Sequence, residues 1–179
     1  TSAYTDRSSD AAFDQAVDDA VAQGVDLVVT CAAAQMRQTL RAAAEHPGPA
    51  YLNCSVSLSH SAVRGFYGRM YEAKFLLGAL AASLAGHHKV GYVAESPVFS
   101  TVAEINAFAI GAQMVDPYST VYLKWFSAKD YDWRRELREE GVHIISGRDY
   151  ANPLAPKESW GLYRVEDDGY GNSLLERLE

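Results

Sequence analysis

The chain has 179 residues, 48% hydrophobic and 22% charged, the balance of a folded chain with enough material for one core or two small lobes. Its 16 basic and 23 acidic residues leave a net charge of −7, a field that repels phosphate backbones and excludes a nucleic-acid grip by this segment. Two cysteines are too few for a disulfide scaffold or a structural zinc site, and the longest apolar run, Phe75–Leu84, is too short to span a bilayer.

Ser8-Ser9-Asp10 is a helix cap, and Phe13, Ala16, Val17, Ala20 and Val21 then recur at helical spacing until Gly24. Val25–Thr30 is a short β-branched run, the form of a buried parallel strand. A helix through Met36, Leu40 and Ala44 ends before Pro47-Gly48-Pro49, and Ala50–Ser55 is the next strand. Cys31 and Cys54 lie at the ends of these two runs and read as small buried hydrophobes.

The connection from Ser55 to Tyr67 breaks the rhythm and is the expected crossover between lobes. It carries an extended aromatic segment, Val63–Gly68, straight into an apolar helix over Met70–Ala85. Gly78 inside that helix predicts a close backbone approach to a neighbour. Lys89–Glu95 is a strand, followed by a helix through Val102, Ile105, Phe108 and Ala112. Thr120–Trp125 is a strand, Trp133–Glu140 a charged helix, Val142–Ser146 a strand with His143 as a packed core group, and Gly161–Val165 the last strand. Helix–strand alternation with tight turns predicts a doubly wound α/β fold with mainly parallel sheets. The expected division is 1–62 for a first lobe, 63–166 for a second, and 167–179 for a crossover or tail.

In open α/β sheets, ligands bind beyond the carboxyl ends of the strands. Those ends offer Thr30, Asn53 and Ser55 early in the chain, then Glu95, Trp125, Arg148, Asp149 and Asp167. Tyr67 and Arg69 stand at the start of the central helix, with Glu72 three residues beyond Arg69 as either a local ion pair or a holder for a presented Arg. Carboxylates accept from hydroxyls, Arg and amides donate, and rings stack, so the set suits a neutral, hydroxylated, partly aromatic ligand.

Enzyme signatures are missing from the sequence. There is no Gly-x-Gly-x-x-Gly after a strand, no Walker loop and no Gly-x-Ser-x-Gly elbow. His46 and His60 lie in loops with no acidic or Cys partner at metal spacing and His87-His88 read as a solvated turn, so no metal, cofactor or catalytic residue is expected. The opening Thr1-Ser2-Ala3, without Met, reads as part of a longer chain.

Arg69-x-x-Glu72-Ala73-x-Phe75-Leu76-x-Gly78, Val90-Gly91-Tyr92-Val93 and Ile105-Asn106-Ala107-Phe108-Ala109-x-Gly111-Ala112 together resemble the basic membrane protein family. These are PnrA-like, purine-nucleoside-binding relatives of type I periplasmic binding proteins. Val121–Trp125 and Gly141–Ser146 continue the resemblance, which covers nearly the whole chain. It implies a two-lobe, hinged, non-catalytic receptor for a nucleoside-like ligand, of which this chain is a middle portion, feeding the permease of an ABC transporter. Gly68, with Tyr67 adjacent, stands where nucleoside-binding members place a Phe. Asn53-Cys54-Ser55 with Tyr67–Phe75 is similar to a subgroup in which the binding module follows an unrelated N-terminal domain. Two settings therefore stay open: an extracytoplasmic, membrane-anchored receptor, or the cytoplasmic ligand-sensing domain of a transcriptional regulator.

Overall fold

The computed structural model describes residues 9–55, 60–95, 97, 99–126, 128, 132–148, 160–170 and 172–178. The chain forms two compact units, residues 1–68 and 69–179.

In the first unit, α1 (Asp10–Ala22) starts at Ser9, whose hydroxyl accepts from the Ala12 amide at 3.2 Å. Phe13, Val17 and Ala20 share its buried face, and Gly24, at φ 73°, takes the left-handed turn that stops it. β1 (Leu27–Thr30), α2 (Met36–Glu45), β2 (Ala50–Cys54) and the short β3 (Arg64–Phe66) follow. The three strands pair in parallel in the order β1-β2-β3. Phe13, Val17, Met36, Ala42 and Ala43 from the helices pack with Tyr51 and Val63 into this unit's core. The register sets Thr30 beside Asn53 and Cys54 beside Phe66, so all three strands end at one edge.

The second unit runs α3 (Met70–Leu84), β4 (Lys89–Ala94), α4 (Phe99–Val115), β5 (Thr120–Trp125), α5 (Trp133–Glu139), β6 (Ile144–Ser146), β7 (Leu162–Asp167) and β8 (Ser173–Arg177). Its sheet has the order β5-β4-β6-β7-β8. β4, β5 and β6 are parallel, whereas β7 and β8 are antiparallel to their neighbours. Alternation along β4 sends Val90, Tyr92 and Ala94 into one core with Ala81, Phe108 and Ala112, and Val93 into another with Trp133, Leu137, Val142, Ile145 and Tyr163. Both faces of the sheet are thus covered, as parallel strands require.

The close approach expected at Gly78 is reciprocal. A Cβ there would lie 2.0 Å from the Phe108 carbonyl oxygen, and one at Gly111 would lie 2.0 Å from that of Phe75. The α3 and α4 backbones therefore touch at two glycines, with the chains running antiparallel.

Several expectations change. The division falls at Gly68–Arg69 because Arg64–Phe66 pairs with β2 and so belongs to the first sheet. The stretch 167–179, set apart as a crossover or tail, carries β8 in the second sheet. β6 begins at Ile144, which leaves His143 exposed instead of in the core. Cys31 is exposed and Cys54 half-buried, so Cys31 is no buried hydrophobe.

Candidate functional site

At the carboxyl edge of the first sheet, β1 and β2 place Thr30 and Asn53 side by side, both buried. Asn53 Nδ2 donates to Thr30 Oγ1 at 2.7 Å and to the Ala32 carbonyl at 3.0 Å. The Ala32 carbonyl only accepts, so it fixes which end of the amide is nitrogen. Thr30 Oγ1 also lies 2.9 Å from Thr39 Oγ1 on α2 and 3.2 Å from the Leu52 carbonyl. Asn53 is fully buried, yet its Oδ1 has no hydrogen-bond partner among the described residues. Two residues on, and on the same side of the strand, the buried Ser55 Oγ is also without one. An unmatched buried acceptor costs about 1–3 kcal/mol, so these atoms favour a hydrogen-bond donor. The Ser55 amide donates to the Phe66 carbonyl at 2.9 Å, which keeps the half-buried Tyr67 at the same edge.

The second unit builds a different edge. Glu95 follows β4 and Arg148 follows β6, and the parallel strands bring them into a bidentate pair. Arg148 Nε and Nη2 donate to the two Glu95 carboxylate oxygens at 2.7 and 2.8 Å. The guanidinium lies 3.9 Å from the Phe126 ring centroid, in stacking range. The half-buried Trp125, beside Ala94 in register, closes β5 and packs toward the α3/α4 side. Lys74 was not anticipated. It is fully buried on α3, donates to Ser146 Oγ at 2.9 Å, and sits 4.6 and 4.4 Å from the Tyr92 and Trp160 ring centroids. Its signal in the sequence is a lone lysine in step with Gly78, Ala81 and Ala82, the buried face of α3.

Not every expected residue joins these sets. Asp167 ends β7, but β7 is antiparallel, so its carboxyl end lies at the opposite edge from Glu95 and Arg148, where Asp167 pairs with Arg138 at 3.0 Å. Arg69 is largely exposed and bonds Glu72 at 3.2 Å, the local pair, worth only a few tenths of a kcal/mol. Asp149 lies outside the described residues.

The clear pKa displacements fall on structural groups elsewhere. A hydrogen bond from His88, backed by the Tyr118 amide and the Ser119 hydroxyl, holds the Asp116 carboxyl below the usual range. Asn172 and the Tyr170 amide do the same for Asp168 in the β7–β8 turn. Asp14 raises the Arg41 guanidinium, and burial raises the Tyr51 hydroxyl, which donates to the His46 carbonyl. Among the described residues, no group of His, Cys, Asp and Glu is arranged to hold a metal ion, and no helix is long and apolar enough to cross a membrane. The strand-end sets can hydrogen-bond, stack and pair charges.

Residues 2–147 match the family described as ABC transporter substrate-binding protein PnrA-like. A purine-binding protein of Brucella abortus is 27% identical over 128 residues, which cover 69% of this chain and 37% of that protein. A Haloferax volcanii protein named for glucose binding in an ABC transporter is 35% identical over 86 residues, 45% of this chain and 22% of its own length. A solved Bacillus halodurans structure, titled as a transcriptional activator of the comK gene, superposes with a TM-score of 0.59 at 17% identity, covering 84% of this chain and 61% of that one. The chain thus spans less than two-thirds of each of these relatives.

Proposed function

The chain belongs to the PnrA-like family of ABC transporter substrate-binding proteins, and from that premise we propose that it carries ligand-holding groups of a non-catalytic binding protein whose ligand is nucleoside-like. The observation that carries this reading is the pair of buried, unmatched polar atoms at the end of β2, Asn53 Oδ1 and Ser55 Oγ. A ligand N–H or O–H would match them, and a purine nucleoside offers both in its base amine and its ribose. Thr30, Tyr67, Glu95, Trp125 and Arg148 are the other proposed ligand-holding groups, since each stands at or just beyond a carboxyl strand end. The similarity to a purine-binding relative supports the ligand class, while the relative named for glucose makes a sugar the competing ligand. The partner expected from the family is a transporter permease.

Isothermal titration of adenosine, guanosine, inosine and glucose into the full-length protein tests the assignment. A nucleoside is expected to release or absorb heat on binding and to raise the melting temperature, by about 2.7 kcal/mol of added stability at a hundredfold excess over Kd. Asn53→Ala should weaken that binding at least tenfold. No heat and no melting shift at millimolar nucleoside, or a response to glucose alone, would remove the nucleoside.

A second reading is the sensing module of a transcriptional regulator. It draws on the fold shared with the Bacillus halodurans protein titled as an activator. DNA binding by the full-length protein that changes with the same nucleoside would favour it over transport.

A further inference from the structure

We propose that the outer face of α3 and α4 is the surface on which a second copy of this protein docks. The two helices touch at Gly78 against Phe108 and at Gly111 against Phe75. That antiparallel contact sets Leu76 level with Ile110 and Leu84 level with Val102. Leu76, Leu80 and Leu84 follow one another at four-residue spacing on α3, and Val102, Ile110 and Met114 lie on one side of α4. All six are between 47% and 66% exposed. Both stripes point away from the sheet, since the inner faces bury Lys74, Gly78 and Ala81 on α3 and Phe108 and Ala112 on α4.

The face also lacks charge. The charged residues of the two helices are Glu72, Lys74 and Glu104. Lys74 and Glu104 are buried, and Glu72 is at the rim in its pair with Arg69. An exposed apolar patch with no charge is a surface that prefers cover to water. Among the described residues of the second unit, helices already lie on both faces of the sheet. Self-association fits best: a two-fold axis brings an uncharged face onto itself with no like-charge penalty, although the chain carries −7 overall. The six side chains expose roughly 600 Å² per copy, so two copies would bury on the order of 1,200 Å², the area at which specific interfaces become stable.

Sedimentation equilibrium of the full-length protein tests this without reference to its ligand. The wild type is expected at twice the chain mass. The exposed double substitution Leu76→Lys with Ile110→Lys should raise the dimer dissociation constant at least a hundredfold, with an unchanged circular dichroism spectrum. A wild type that stays monomeric at about 100 µM, or a dimer that survives the double substitution, overturns the proposal. Leu80→Cys, made with Cys31→Ser and Cys54→Ser, keeps the question open to decision if the double variant fails to fold. Maleimide labelling of that thiol should slow as concentration rises, whereas protection independent of concentration would assign the cover to another part of the same chain and overturn the proposal.

Discussion

Arg148 and Glu95 meet away from full hydration. Their side chains are 10% and 26% exposed, and they join in a matched fork of hydrogen bonds. Glu95→Ala leaves the guanidinium in that setting and is expected to cost about 2–3 kcal/mol in urea-induced unfolding. Asp116 makes a different case. Its carboxyl is held below the usual range chiefly by the His88 hydrogen bond, so the folded state favours the ionised form. Its contribution is complete above the ordinary carboxylate range and fades as pH falls through the lower folded value. Asp116→Asn should therefore flatten the loss of thermal stability between about pH 5 and pH 2, read from melting curves across that range. The strand-end placement of Thr30, Asn53 and Ser55 was legible in the sequence because each ends or follows an apolar strand run. Lys74 was not, because one lysine in an apolar helix reads as a surface residue until the wheel is matched to a known buried face.

α3 and α4 carry their packing instructions in two glycines. At Gly78 and Gly111 a methyl group would meet backbone oxygen at 2.0 Å, and backbone cannot step aside as a side chain can. Gly78→Ala is expected to destabilise the second unit by about 3 kcal/mol or more, measured by tryptophan-detected unfolding, although alanine favours a helix. The interior glycine announced this approach in the sequence, and β4 and β5 were readable from continuous apolar runs. β3 and β8 were not. β3 has three residues, all exposed, and among the described residues it pairs with β2 alone. β8, Ser173-Leu174-Leu175-Glu176-Arg177, is a largely exposed edge strand whose residues suit a helix equally well. Direction was also hidden. Alternation along β7 is the same whichever way the strand runs, so nothing local showed that Asp167 would face away from Arg148.

At the scale of the molecule, each unit owns a separate core, one around Phe13, Val17 and Tyr51 and the others around the second sheet. All three tryptophans, Trp125, Trp133 and Trp160, fall in the second unit. Fluorescence-detected unfolding should follow that unit alone, while far-ultraviolet circular dichroism follows both. The expected outcome is two curves that do not coincide, with Gly78→Ala moving the whole fluorescence curve but only the second unit's part of the dichroism curve. Coincident curves would mean that the units melt as one. The family and fold were legible from the spacing of motifs spread along the chain, whereas the ligand was not, since the relatives named for purine and for glucose share that framework. The paired glycines carry one more implication. Two rods seated notch to notch cannot slide along each other or roll without driving carbonyl groups into carbon, so shear is barred between them. Amide hydrogens of α3 and α4 should therefore exchange with solvent as a single cooperative block.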